Sequence, residues 1–230
     1  MRLTGGMADD ALHAARQSIV DAGARLVERG FVLGSSGNVS VRVDSGRVLA
    51  TPTGVALDAL TPEALPLLEL DGHQVSGPLA PTSEVSLHLA IYRQTSTAGA
   101  VVHTHAPYAT ALSCVVDELP LVHYEMLLLG GAIRVAPFAA FGTDELADLA
   151  LTALDGKTAA LLANHGTVAH GADLAAAMKA TELLEWSAAV YTRAAAVATP
   201  RALTAEQAEA TIASALRHRY GQPQPAAVDL

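Results

Sequence analysis

His103 and His105, two residues apart in Val101-Val102-His103-Thr104-His105, are the first side chains here whose type and spacing could do chemistry. On a β-strand, positions i and i+2 point to one side, so both imidazoles could reach a common point while Thr104 turns away. The apolar Ala100-Val101-Val102 before them would bury that strand and give the rings the rigid support a metal site needs. The pair fits equally two histidines at a strand end that bond to backbone or water. His165 offers a third imidazole, in Asn164-His165-Gly166 after the apolar stretch 158–163. A side chain at such a strand exit can face a cleft, and the glycine lets backbone approach a ligand closely. By itself His165 reads as a turn histidine. Together, three neutral imidazoles on one divalent ion would leave a coordination position open, as in a catalytic rather than a structural site.

Glu84, in Pro81-Thr82-Ser83-Glu84, falls where a helix should begin. Its attraction to the positive helix end accounts for an acid there without further function. The alternative is a carboxylate beside the metal, ligating it at rest and moving protons when substrate displaces it. Small polar residues gather at three turns: Ser35-Ser36-Gly37-Asn38, Thr53-Gly54 and Thr82-Ser83. Their backbone N–H groups and hydroxyls could hold a phosphate without any cation, or could be ordinary turn chemistry. No Walker loop or dinucleotide fingerprint is present.

The elements that must position these residues follow from periodicity. Leu12, Ala15, Ile19, Ala22 and Leu26 recur at helical spacing and predict a helix over 9–29, closed by Gly30. Val39, Val41 and Val43 alternate with Ser40 and Arg42 as a strand, and Asp44-Ser45-Gly46 turns it into a second at 47–50. Residues 67–70 predict a further strand. A helix is expected from Thr82 or Ser83 to about Arg93, a strand at 100–103, a helix after Pro107 and a strand at 133–136. Thr143 and Asp173 should each cap a helix, the second long and alanine-rich, and strands 158–163 and 167–170 should pair through the turn at 164–166. Thr204-Ala205-Glu206-Gln207 has the capping-box pattern of a last helix. Strands and helices mix without strict alternation, so the expectation is an α/β fold: a mainly antiparallel sheet with helices on both faces. One domain over residues 1–220 and a frayed tail over 221–230 are expected.

Composition bounds the partners. The 230 residues are 51% hydrophobic and 16% charged, enough for a core and too apolar for disorder. A net charge of −9 without any basic cluster argues against nucleic acid and anionic membranes. The single cysteine, Cys114, allows neither an intrachain disulfide nor a thiolate zinc site, and there is neither a signal-peptide pattern nor a membrane-length apolar run. A soluble cytoplasmic protein is expected.

Taken in order, Gly37-Asn38-Val39-Ser40-Val41-Arg42, Thr51-Pro52-Thr53-Gly54, Thr82-Ser83-Glu84, Val102-His103-Thr104-His105-Ala106 and Asn164-His165-Gly166 resemble the class II aldolase/adducin head-domain family over nearly the whole chain. Residues 137–146 and 161–166 are most similar to its L-fuculose-1-phosphate aldolase branch. The resemblance implies a three-layer αβα sandwich and a homotetramer with active sites at subunit interfaces. It implies zinc held by His103, His105 and His165, with Glu84 as a ligand at rest and as the acid/base. Other divalent ions suit the same imidazoles. It makes Asn38, Thr53, Gly54, Thr82 and Ser83, with Ser36 and Gly37, the phosphate cradle. Tyr124 matches an active-site tyrosine, and Tyr220 one contributed by a neighbouring subunit. Thr82 stands where that branch carries serine, and residues 106–110 are closer to other branches.

The activity so implied is cleavage of a ketose 1-phosphate to dihydroxyacetone phosphate and an aldehyde, through an enediolate whose charge the metal stabilises. A sugar-phosphate 4-epimerase, decarboxylase or dehydratase of the family could share that step. The epimerases carry aspartate at the place of Glu84, which counts against the first. An adducin-like binding module would keep the fold without the ligands, all of which are present here.

Overall fold

The alternation of apolar side chains that marks the strands also explains how they stack. A computed structural model describes residues 5–221; of the tail expected over 221–230, only Gly221 lies among the described residues. Helix α1 (Gly5–Glu28) leads into a hairpin of β1 (Asn38–Arg42) and β2 (Arg47–Ala50), followed by β3 (Leu67–Glu69) and β4 (Gln74–Ser76). Then come α2 (Val85–Gln94), β5 (Ala100–Thr104), α3 (Pro107–Ser113), β6 (Glu118–Leu119), a 3-10 segment (Tyr124–Leu129) and β7 (Ile133–Ala136). The chain continues through α4 (Asp144–Leu154), β8 (Ala159–Leu162), β9 (Gly166–Gly171), α5 (Leu174–Ala195) and α6 (Ala205–Arg217).

Among the described residues the strands form one sheet in the order β4-β3-β2-β1-β5-β9-β8-β7-β6. Every neighbouring pair is antiparallel except β7 with β8. Ala160, Leu162 and Val101 pack on one face with residues of α2 and α4. Ala159 and Leu161 face the opposite side with α3 and α5, and Val39 and Val102 with α1. Both faces are therefore covered, which is why β8 reads as an unbroken apolar run. The result is the expected three-layer αβα arrangement with a mainly antiparallel sheet. Among the described residues no helix is long and apolar enough to cross a membrane.

Thr143, Asp173 and Thr204 cap α4, α5 and α6 through their side chains, and Gln207 completes the capping box. One expected boundary is wrong in an informative way. Helix α2 starts at Val85, with Glu84 at the N-cap and no side-chain cap bond. Residues 82–84 form a turn instead, in which the Val85 N–H donates to the Thr82 carbonyl at 3.1 Å. The short edge strands β4 and β6 were not expected, because pieces of three and two residues carry no readable alternation.

Helix α3 begins directly after His105, and its start is fixed from outside. Ala106 at its N-cap makes no side-chain cap bond. Instead Glu185, buried on α5, accepts from Tyr108 N at 2.9 Å and Ala109 N at 2.8 Å. Burial pushes the Glu185 carboxyl up, while these two bonds pull the other way. Glu185→Ala would leave both amides unpaired, and urea unfolding should show a loss of roughly 1–3 kcal/mol.

Candidate metal centre and active site

The site assembles where β5 ends, β9 begins and α2 starts. Asn38 pairs with His103, and His103 with Val168, so all three side chains lie on the α2 side of the sheet. His105, two residues on, adds the second ring. His165 comes from the β8–β9 turn, where Asn164 adopts φ 54° and the His165 N–H donates to the Leu162 carbonyl at 3.1 Å. Gly166 leaves no room for a side chain: a Cβ there would collide with the Thr104 carbonyl and lie 2.8 Å from His105 Cδ2. The glycine therefore lets the His165 turn close on the His103–His105 strand.

One ligand atom from each of the three histidines lies within 4.8 Å of the others. The rings stand edge to face, with centroids 4.8 to 5.1 Å apart. The buried His103 ring donates through Nδ1–H to the Thr167 carbonyl at 2.8 Å, which leaves Nε2 as a bare lone pair. That lone pair faces His105 Nε2 at 3.1 Å and Glu84 Oε2 at 3.1 Å. Glu84 Oε1 lies 3.3 Å from His165 Nε2 and has no hydrogen-bond partner. Lone pairs facing one another in a buried pocket, with an orphaned carboxylate oxygen among them, fit a cation held in common. Imidazole nitrogen and carboxylate oxygen suit zinc and several other divalent ions.

The protonation states agree. Burial pushes the Glu84 carboxyl up, but the neighbouring His103, then Asn38 and His165, outweigh it and hold it well below the usual carboxylate range. Burial and the neighbouring His103 lower His105 to about 4 and shift His165 in the same direction. At pH 7 His105 and His165 are therefore neutral and Glu84 is ionised.

The three small-residue turns also meet here. Thr51 ties them together: its N–H donates to Val39 O at 2.9 Å, its hydroxyl accepts from Val39 N at 3.2 Å, and its carbonyl accepts from Thr82 N at 2.9 Å. Thr53 N donates to Ala80 O at 3.1 Å, so the 53–54 and 82–83 turns run side by side. Gly37 (φ 79°) and Gly54 (φ 73°) both use the left-handed region. Ser36 spends its hydroxyl on its own turn, donating to Leu33 O at 2.7 Å. Thr82 Oγ1 accepts from Glu84 N at 3.2 Å. Asn38 donates to Glu84 Oε2 at 3.0 Å and accepts from His88 Nε2 at 2.5 Å. Among the described residues, no Lys or Arg side chain hydrogen-bonds to these turns.

Tyr124 and Tyr220 stand elsewhere. They meet each other, hydroxyl to hydroxyl, at 3.3 Å, and Tyr220 donates to Glu125 at 2.8 Å. With the 3-10 segment and α6 they line a groove of about 800 Å³ that includes none of His103, His105, His165 and Glu84. Within one chain, then, they form no hydrogen bond or ring contact with the cluster. Sequence reasoning missed His88, Ser40 and Tyr92, which continue inward from Asn38; their helical and strand spacing was the available signal.

A family model described as Class II Aldolase and Adducin N-terminal domain matches residues 17–192, and the chain belongs to that family. A 5-deoxy-D-ribulose 1-phosphate aldolase from Bacillus thuringiensis serovar kurstaki is 34% identical over 199 residues, 86% of this chain and 93% of its own. A 3-oxo-tetronate 4-phosphate decarboxylase from Haemophilus influenzae is 40% identical over 186 residues, 77% of this chain and 87% of its own. The solved structure of an L-fuculose 1-phosphate aldolase superposes with TM-score 0.84 at 32% identity, covering 90% of this chain and 97% of the other.

Because His105 and His165 titrate low in the fold, their neutral forms persist below the ordinary histidine pKa of 6.5. Groups whose folded pKa is depressed contribute stability above the unfolded value and lose it as pH falls toward the folded one. Metal-free protein should lose urea resistance as pH falls from 6.5 toward about 4. Zinc uptake by calorimetry should hold to just below pH 6.5 and fail over the same window.

Proposed function

We propose that this chain is a metal-dependent class II aldolase that cleaves a ketose 1-phosphate resembling L-fuculose 1-phosphate into dihydroxyacetone phosphate and an aldehyde. The observation that carries the reading is the convergence of His103, His105, His165 and Glu84. When bound, a divalent cation, zinc by preference, on the three histidines supplies Lewis-acid stabilisation of the negative charge that develops on the substrate's C2 and C3 oxygens. Neutral imidazoles suit that task because they leave the ion's charge undiminished.

The chain's own groups do the rest. Backbone N–H groups and hydroxyls of Gly37, Asn38, Thr53, Gly54, Thr82 and Ser83 hold the phosphate and fix the sugar, spending binding energy remote from the breaking bond, while Ser36, whose N–H and hydroxyl both donate to Leu33 O, shapes the first turn. The C4 hydroxyl gives up its proton as the C3–C4 bond breaks, the bond's electron pair passes into the C2 carbonyl as an enediolate, and Glu84, which takes up a proton from solvent once substrate displaces it, delivers that proton to C3. In the synthetic direction Glu84 removes that proton. Tyr124 or Tyr220 handles the proton at the C4 oxygen. Hydrogen bonding to Tyr124 and Glu125 holds the Tyr220 phenol above its usual range, so it is protonated at pH 7.

Those tyrosines lie apart from the metal centre of their own chain, in a groove with Leu128, Ile212 and Leu216 exposed. This supports a homotetramer whose sites are completed across subunit interfaces. Mixing Glu84→Gln subunits with Tyr124→Phe subunits should then restore cleavage that neither variant supports alone; no recovery would place each site within one chain.

The Haemophilus influenzae relative favours one second reading, a sugar-acid phosphate decarboxylase. A dehydratase, a 4-epimerase and a non-catalytic binding module have less support, the last because all four ligand side chains are in place. A panel of ketose 1-phosphates and 3-oxo acid phosphates, scored for aldehyde against carbon dioxide, separates the readings. Chelation should abolish cleavage and zinc should restore it. Glu84→Gln should lower kcat by about 10²–10⁴-fold with metal still bound; an unchanged rate refutes the role of Glu84.

A further inference from the structure

Behind Glu84 runs a buried chain of hydrogen bonds that the reaction above does not use. Asn38 and Ser40 lie two apart on β1 and face one side. Glu84, His88 and Tyr92 recur every fourth residue from the N-cap along α2 and share one helix face. The two rows mesh: Asn38 Nδ2 donates to Glu84 Oε2 at 3.0 Å, and Asn38 Oδ1 lies 2.5 Å from His88 Nε2. His88 Nδ1 lies 2.7 Å from Ser40 Oγ, which lies 2.9 Å from the Tyr92 hydroxyl. All five residues are buried, His88 and Ser40 with 0% exposure. Polar groups so placed must pair with one another.

Their polarity runs one way. An ionised carboxylate only accepts, so Glu84 obliges Asn38 to turn its NH2 toward it and its carbonyl toward His88. The carbonyl also only accepts, so His88 carries its proton on Nε2. Burial, with His103 nearby, lowers His88 to about 3, so the ring is neutral and the bare Nδ1 accepts from Ser40. Ser40 in turn accepts from Tyr92, whose phenol burial pushes up and keeps protonated. At the far end Arg42 donates to the Tyr92 carbonyl at 2.7 Å and stacks over its ring at 4.9 Å.

We infer that His88, backed by Ser40 and Tyr92, is a positioning residue: it locks the Asn38 amide in the orientation that donates to Glu84 Oε2 and so reserves Oε1 for proton transfer. Without a donor on its carbonyl, the amide could rotate by half a turn and set oxygen against the carboxylate. Oε1 is the oxygen without a hydrogen-bond partner, on the His165 side. The inference rests on Glu84 as the proton carrier.

The test uses the full-length, zinc-loaded protein. His88→Leu should lower kcat about 10- to 100-fold, with KM and metal per chain unchanged. His88→Gln, whose amide N–H can take the place of Nε2–H, should recover most of kcat. Tyr92→Phe should act in the same direction more weakly. A merely structural role predicts losses that follow the unfolding midpoint, with Gln no better than Leu, and that pattern overturns the inference. Should His88→Leu not fold, nitrogen-15 NMR of histidine-labelled wild type decides: Nε2–H with a bare Nδ1 supports the relay, and the opposite tautomer overturns it. Wild type that cleaves no ketose 1-phosphate defeats the proposed reaction instead, while the tautomer from the same sample still reports whether the relay holds Asn38.

Discussion

The Thr167 carbonyl constrains everything else in this site. By accepting from His103 Nδ1 it fixes one tautomer and turns a bare Nε2 toward a carboxylate and a second imidazole. Such a cluster is electrostatically unfavourable unless a cation or proton lies in it, so the surrounding structure must hold it in place. The β5–β9 register does so from below, the Gly166 turn from the side, and α2 from above. The folded chain is thereby organised around a positive charge that its side chains anticipate.

Two kinds of support share the work. Strand geometry places His103 and Asn38, because register and pleat leave few choices about where these side chains point, and His105 follows directly after β5 with its N–H donating to Phe31 O at 3.0 Å. Glu84 is placed differently, by a turn that stops α2 from starting early and by hydrogen bonds through Asn38. At an N-cap a carboxylate would ordinarily bond its own helix's N–H groups. Here it makes no cap bond and faces the histidines, exchanging a small local stabilisation for a position in the cluster.

This difference explains what was legible in the sequence. The His103–His105 pair could be read because a period of two is a local property, and the caps at Thr143, Asp173 and Thr204 are local too. His165 looked like a turn residue and is one; only the pairing of β9 with β5 gives it partners. Thr82 and Ser83 are good capping residues and point to an earlier start of α2 than the fold adopts, because Thr82 Oγ1 bonds Glu84 N inside a turn. His88, Ser40 and Tyr92 give no sign of a shared role in the sequence because each row alone looks like an ordinary half-buried element, and the rows acquire meaning only when β1 meets α2. The edge strands β4 and β6 are set by tertiary pairing, not by their own pattern.

Substrate identity is the least legible property, and the chemistry explains why. Loss of an aldehyde from a ketose phosphate and loss of carbon dioxide from a 3-oxo acid both leave an electron pair on a carbon beside a carbonyl. A centre that stabilises that charge is indifferent to which fragment departed. Discrimination must come from groups that touch the leaving fragment. A departing aldehyde needs its oxygen's proton managed, and departing carbon dioxide does not, so a hydroxyl with a proton to exchange marks the aldolase. Under the proposed reaction that role falls to Tyr124 and Tyr220, whose hydroxyls meet at the rim of an apolar groove, with Tyr220 bonding Glu125, apart from His103, His105 and His165. The metal centre can thus stay unchanged across a family of reactions while the edge that meets it selects among them.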